Sequence, residues 1–226
     1  MQPRIQMQQL AIPLPDQLAT DPSTLLIEAP NREVWTWLSS SPQWPLPQLV
    51  VVGPPGAGKS HMGRALSLLR GGVLLTVGGN HDPLQLVQTS QIIVVDDYDQ
   101  YRDESWLFHL YNLAKEHQRQ VVYLGRTAPA SHSFTVNDLA SRLRSLPCLE
   151  IHEPDDELFR KLFRKELLKR GMLCGDDILE YIYRRFDRSY TTIHHLVKVI
   201  DELTLSQQRP LTLPLLKEVT DDRASS

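Results

Sequence analysis

Apolar residues in this chain gather into short unbroken runs, and the stretches between the runs carry a helical repeat. The runs Leu49–Val52, Val73–Val77, Ile92–Asp96, Val121–Leu124 and Leu149–Ile151 read as strands. Their lack of polar interruption is the pattern of strands covered on both faces. Amphipathic spacing predicts helices over His61–Leu69, Pro83–Gln88 and Glu104–His117. A helix is also predicted from Asn31 as N-cap to about Leu38, with Val34, Trp35 and Leu38 on one face, followed by a loop over Ser39–Pro47. Strands alternating with helices predict an α/β fold with a parallel sheet flanked by helices. From Pro154 the strands stop, and helical patterns follow over Asp155–Arg170, Asp176–Phe186, Tyr190–Gln207 and Leu213–Val219. The expected organisation is a flexible Gln- and Pro-rich tail (1–24), an α/β core (25–153) and a small all-α subdomain (154–226). No internal repeat is present.

Composition narrows the picture without redirecting it. With 24 basic and 27 acidic residues and a formal charge of −3, the chain gives no sign of a broad nucleic-acid footprint. The C-terminal segment balances 13 acids against 13 bases, so the run Arg160–Arg170 reads as a solvated helix face. The two cysteines, Cys148 and Cys174, lack metal-ligand spacing; they read as packing residues, and their scarcity fits a reducing compartment. No apolar run reaches the roughly 20 residues that span a bilayer, and no signal peptide opens the chain. A cytoplasmic protein is expected.

The segment GPPGAGKS, Gly53 to Ser60, satisfies every fixed position of a phosphate-binding P-loop and sits between a strand and a helix, as that motif requires. Gly53, Gly56 and Gly58 would let the backbone curl so that N–H groups of Gly53, Pro54–Ala57 and Gly58 surround phosphate oxygens, Pro54 and Pro55 excepted as donors. Lys59 would reach the β- and γ-phosphates, Ser60 would bind Mg²⁺, and His61 completes the cofactor-binding stretch. The strand Ile92–Asp96 ends in two carboxylates 36 positions beyond Ser60. Asp96 is the candidate Mg²⁺ ligand and Asp97 the candidate catalytic residue that orients attacking water. Asp155, Asp156 and Glu157 read instead as first-turn acids favoured by the helix dipole. His194 and His195, adjacent on a helix, face different directions and read as solvated or packed.

The P-loop core, the strand ending Asp96-Asp97, the stretch Asp138-Leu139-Ala140-Ser141-Arg142-Leu143 and the hexapeptide Gln9-Leu10-Ala11-Ile12-Pro13-Leu14 together resemble the DnaA-related branch of the AAA+ ATPases, most closely its small Hda-like regulators. The resemblance covers nearly the whole chain. It implies a P-loop AAA+ core followed by a helical lid, with ADP or ATP and Mg²⁺ as cofactors. It implies that Arg142 is an arginine finger offered to a neighbouring subunit's nucleotide, with Arg144 an alternative. A planar, permanently charged fork suits that role. It further implies that Gln9, Leu10, Ile12, Pro13 and Leu14 dock on the DNA polymerase sliding clamp, that the DnaA initiator is a partner, and that DNA is met only through the clamp. A homodimer and an adenine pocket lined by Leu25–Pro30 are also expected.

Two positions depart from the family pattern. Arg126 stands where a polar sensor residue is expected after the strand Val121–Leu124, and Thr191 stands where the lid sensor arginine belongs, with Arg188 its nearest substitute. With the expected lid running to Ser226, no helix-turn-helix domain is expected within this sequence. These features predict a nucleotide-bound regulator that stimulates ATP hydrolysis by DnaA. The alternative is a self-hydrolysing AAA+ ATPase of the helicase-loader or clamp-loader kind.

Overall fold

The computed structural model describes residues 24–40, 44 and 46–222. Among them five strands form one parallel sheet: β1 (Gln48–Val52), β2 (Val73–Leu75), β3 (Ile92–Val95), β4 (Gln120–Gly125) and β5 (Cys148–Glu150), in the order β2-β3-β4-β1-β5. Parallel neighbours need long crossovers, and helices supply them. These are α2 (Lys59–Arg70), α3 (Pro83–Thr89), α4 (Glu104–Glu116) and α5 (Asn137–Arg144), preceded by α1 (Ala29–Ser39).

The two-residue period of each strand sorts its side chains to opposite faces. Val50, Val52, Ile93, Val95, Val121 and Tyr123 pack beneath α3, α4 and α5. Leu49, Val51, Ile92, Val94, Val122 and Leu124 pack against α1 and α2. The predicted parallel sheet covered on both faces is therefore observed. A single polar side chain of β1, Gln48, is buried, and it is satisfied: its amide donates to Tyr111 O at 2.9 Å and accepts from the Tyr123 hydroxyl at 3.0 Å.

The C-terminal region holds α6 (Asp156–Leu168), α7 (Asp176–Arg185), α8 (Tyr190–Gln207) and α9 (Leu213–Asp222). Phe159, Phe163, Leu167, Ile182, Ile193 and Val197 build its own apolar cluster. As expected, Asp156 and Glu157 lie in the first turn of α6, whereas Asp155 stands one place earlier as its N-cap, accepting from Leu158 N at 2.8 Å.

Several expectations need correction. The helix α1 starts earlier than Asn31: Glu28 is the N-cap, and Asn31 works backwards as the N3 partner, accepting from Glu28 N and donating to Leu26 O, each at 2.9 Å. The strand β2 ends at Leu75 because the chain turns at once, with Gly79 N donating to Thr76 O at 3.3 Å and Gly78 at φ +87°. Cys148 is not a packing residue; it lies exposed on the edge strand β5. The run Arg160–Arg170 is more than a solvated face. Lys161 joins Glu28 at 2.5 Å and Glu157 at 2.7 Å, Arg164 pairs with Asp176, and Arg170 reaches Asp201 at 3.4 Å.

The helix α5 buries Leu139, Ala140 and Leu143 at helical spacing. Its start is organised from a distance: the Glu104 carboxylate accepts Thr135 N at 2.8 Å and Val136 N at 2.7 Å, doing for α5 what a local cap does elsewhere. Burial pushes the Glu104 carboxyl upward, but those amide bonds prevail and hold it below its ordinary 4.5. A depressed carboxyl stabilises the fold above its unfolded-state pKa, and the benefit disappears as pH falls through the folded value. Glu104→Ala is expected to cost about 1 kcal/mol at neutral pH, the usual worth of a cap. Thermal melts at decreasing pH should show the difference from wild type closing below about pH 4.5.

Candidate functional site

Strands buried on both faces expose chemistry only where they end, and in an open parallel sheet ligands bind beyond the carboxyl ends. Beyond β1 lies the loop 53–58. Gly56 and Gly58 hold φ of +79° and +84°, the left-handed values the curled loop needs. Gly53 is required for a different reason: a Cβ there would meet the Ile151 Cβ at 2.9 Å. Pro54 and Pro55 form the loop's outer side, Ala57 is buried within it, and Ala57 N donates to Pro54 O at 3.2 Å.

Lys59, buried at 7% exposure, folds over the loop and donates to Gly53 O at 2.7 Å and Pro54 O at 2.9 Å. Burial lowers its pKa, the Asp97 carboxylate opposes that shift, and Arg126 reinforces it. An ammonium group held only by neutral carbonyls has capacity left for anionic oxygens. Ser60 follows in the first turn of α2, half-buried. His61 shares a hydrogen bond with Thr24 Oγ1 at 3.1 Å. Beside the loop opens a cavity of about 470 Å³, walled by Gly53, Pro54, Arg126, Ile151, His152 and Glu153.

Two strands away, β3 delivers its acids to the same edge. Asp96 is 7% exposed, and its Oδ1 accepts Asp97 N at 3.2 Å. Asp97 adopts the left-handed conformation, φ 49° and ψ 48°, uncommon outside glycine and met most often in turns and at functional sites. Burial raises the Asp97 carboxyl above its ordinary range; the neighbouring Asp96 adds to this and Arg126 draws it back. Asp99 Oδ2 accepts Arg126 N at 2.8 Å and Thr127 N at 2.9 Å, so the turn after β3 fixes the backbone of Arg126 after β4. Ser60 and Asp96 present the hard oxygens that Mg²⁺ prefers. Among the described residues no group of three or more His, Cys, Asp or Glu forms a closed metal cage. An ion bound through one hydroxyl, one carboxylate, water and phosphate oxygens needs none.

The helix α8 closes over the loop, and here the sequence reading missed two participants. Tyr190 packs into the core cluster, and its hydroxyl donates to His152 O at 3.2 Å. His194, one turn later on the same face, places Nε2 3.3 Å from Gly56 O. A Cβ on Gly56 would meet His194 Cδ2 at 2.6 Å. His194 is thus neither merely solvated nor buried; it rests on the loop. The 190/194 spacing was the available signal, but only tertiary structure shows what that face meets. The segment expected to line a base pocket supplies Leu25, Leu26 and Ile27 to the same apolar cluster.

Thr191, at the expected sensor position, is exposed. Arg188 does not replace it: its guanidinium pairs with Asp156 at 3.0 Å and stacks on Tyr183 at 4.4 Å, within the helical region. Arg142 lies in the last turn of α5 with its guanidinium over Phe108 at 5.1 Å and Tyr111 at 5.4 Å. Arg144 is engaged otherwise, donating to Pro129 O at 3.1 Å and so bracing the loop before α5. Gln9, Leu10, Ile12, Pro13 and Leu14 lie outside the described residues.

Comparison with known proteins shows what the chain is similar to. Residues 155–220 match the sequence model of the Hda lid domain. An uncharacterized protein of Haemophilus influenzae (strain Rd) is 23% identical over 187 residues, spanning 76% of this chain and 81% of its own. Domain III of the replication initiation protein DnaA from Thermotoga maritima superposes with a TM-score of 0.74 at 15% identity, over 92% of this chain and 97% of that one. AMPPCP-bound DnaA from Aquifex aeolicus gives 0.62 at 17% identity, over 85% of this chain and 67% of that one. Such likeness establishes an AAA+ fold.

Asp97→Asn should raise the melting temperature of the nucleotide-free protein at neutral pH, because a raised carboxyl pKa means that ionisation costs folded-state stability. As pH falls through the raised pKa toward the ordinary 3.8, the advantage should vanish. Gly56→Ala should lower stability by more than the roughly 1 kcal/mol of a strained left-handed alanine, since it also strikes His194. Adding His194→Ala should restore part of that loss, a non-additivity measurable by denaturant melts of the double-mutant cycle.

Proposed function

We propose that this chain, a DnaA-related, Hda-like AAA+ protein, is a nucleotide-bound regulator of replication initiation that acts on a partner's ATP. The observation that carries this reading is a region matching the Hda lid domain that touches the loop 53–58 through His194, while Thr191 is exposed and Arg188 is paired with Asp156. ADP or ATP would be held by the loop Gly53–Gly58, Lys59 and Ser60, with Mg²⁺ on Ser60 and Asp96. The nucleotide supplies charge that draws Lys59 and the loop amides together and gives α8 a surface to close on. Asp97 would position water, and Arg126, exposed at the end of β4, adds positive charge to the cavity. AMPPCP in the DnaA of Aquifex aeolicus supports a nucleotide here.

In this reading Arg142 is the residue that acts outward, entering the ATP site of DnaA as an arginine finger. Its aromatic seat on Phe108 and Tyr111 would hold the guanidinium in place until then. Each such contact is worth about 0.5–1 kcal/mol, a small sum against the three or more orders of magnitude an arginine finger contributes. The tail segment Gln9–Leu14 would dock on the DNA-loaded sliding clamp and bring the finger to its target. Confinement there replaces a dilute encounter by a local one.

The test is the rate at which DnaA-bound ATP is converted to ADP with clamp, DNA and this protein present. Acceleration should fall at least a hundredfold in Arg142→Ala, which should still bind ADP and clamp. Lys59→Ala should lose nucleotide retention, and Leu10→Ala with Leu14→Ala should lose clamp capture. The reading is overturned if wild-type protein leaves the DnaA rate unchanged. Turnover by this chain alone that disappears in Lys59→Ala would favour the self-hydrolysing alternative.

A further inference from the structure

The opposite end of the sheet holds a second cavity, of about 600 Å³, where β1, β3 and β4 begin. Its walls include Trp44, Arg70, Gln91, Gln118 and Gln120. Arg70 is the last residue of α2, a sheet's length from the P-loop at the first turn of that helix. Its guanidinium lies over the Trp44 ring at 5.3 Å, which leaves the in-plane N–H groups as its remaining bonding edge. Nη1 donates to Gln120 Oε1 at 2.8 Å, whereas Nη2 is buried and has no hydrogen-bond partner among the described residues.

Such an orphan is costly. An N–H of a charged group that is withdrawn from water without a partner is unfavourable. Burial lowers the Arg70 pKa, and no carboxylate contributes to offset it. The glutamines cannot supply the missing charge and are themselves biased toward donation. Gln120 lends its carbonyl to Arg70, and Gln91 lends its carbonyl to Arg119 Nη1 at 3.1 Å, so the spare capacity of both side chains includes amide N–H groups. The cavity thus carries one cation and three side-chain amides beside apolar Trp44, Pro47 and Leu69, and none of its lining residues among those described is an acid.

We propose that this cavity binds a small oxyanion, a carboxylate or a phosphate, between the Arg70 guanidinium and the side-chain amides of Gln91 and Gln120. Gln118 stands exposed at the rim in a left-handed conformation. The site is independent of the nucleotide cradle, so its existence does not depend on the function proposed above.

The experiment follows the Trp44 indole N–H signal in proton–nitrogen NMR spectra of the full chain, assigned with Trp44→Phe, since Trp44 donates to Trp37 O at 2.8 Å and lies against Arg70. Inorganic phosphate and acetate are titrated separately at constant ionic strength, so the arm that saturates identifies the oxyanion. Saturable movement of this signal is expected in wild type. In Arg70→Gln the affinity should fall about tenfold or more, the worth of a charge-assisted hydrogen bond. Arg70→Lys, which keeps the charge but not the fork, should bind with intermediate strength and guards against a folding defect in the glutamine variant. The proposal is refuted if neither anion moves the signal saturably, or if Arg70→Gln responds as wild type does.

Discussion

Burial of the sheet on both faces is the constraint from which the rest of the molecule follows. Leu49, Val50, Ile92, Ile93, Val94, Val95, Val121 and Val122 are all fully buried, so the central strands have no lateral surface on which to carry chemistry. Functional groups must leave the sheet at its ends. The carboxyl ends deliver the P-loop, Asp96, Asp97 and Arg126 to one edge, and the amino ends deliver Gln91 and Gln120 to the other. The polar exception inside, Gln48, is tolerated because both halves of its amide are bonded, at a place where an unpaired amide would cost several kcal/mol.

The helical region is built on a cluster of its own, yet it is not merely appended. Leu158 and Tyr190 belong to the apolar cluster of the core face, Lys161 joins Glu28 beside α1, and His194 touches the P-loop. Exposed ion pairs of this kind contribute little individually. The apolar contacts dominate, and the polar ones fix which turn of α8 meets which glycine. Register at this contact matters because Gly56 tolerates His194 only for want of a side chain.

Much of this was legible in the sequence where local pattern and tertiary role coincide. Unbroken valine and isoleucine runs can be satisfied only inside a covered sheet, and the P-loop glycines announce a backbone conformation open to few other residues. Legibility ended where a residue's role is assigned by something remote. Glu104 braces the chain before α5 from 31 positions before Thr135, so that contact shows in no local window. Asn31 has the composition of an N-cap but serves as the answering residue of one, because Pro30 and Glu28 already open the helix. His194 looked ordinary because its partner is a glycine carbonyl 138 positions away. Cys148 failed as a packing residue because its strand has a neighbour on one side only.

The bond from Gln48 to Tyr111 O has a further consequence. Gln48 is the first residue of β1 and Gly53 follows the last, while Tyr111 is one of the two rings on which Arg142 rests. The cradle and the seat of the arginine are thus laid out from opposite ends of one strand, and that strand cannot stretch. The interval between the loop 53–58 and the guanidinium of Arg142 is therefore a fixed dimension of the fold, set by the length of β1.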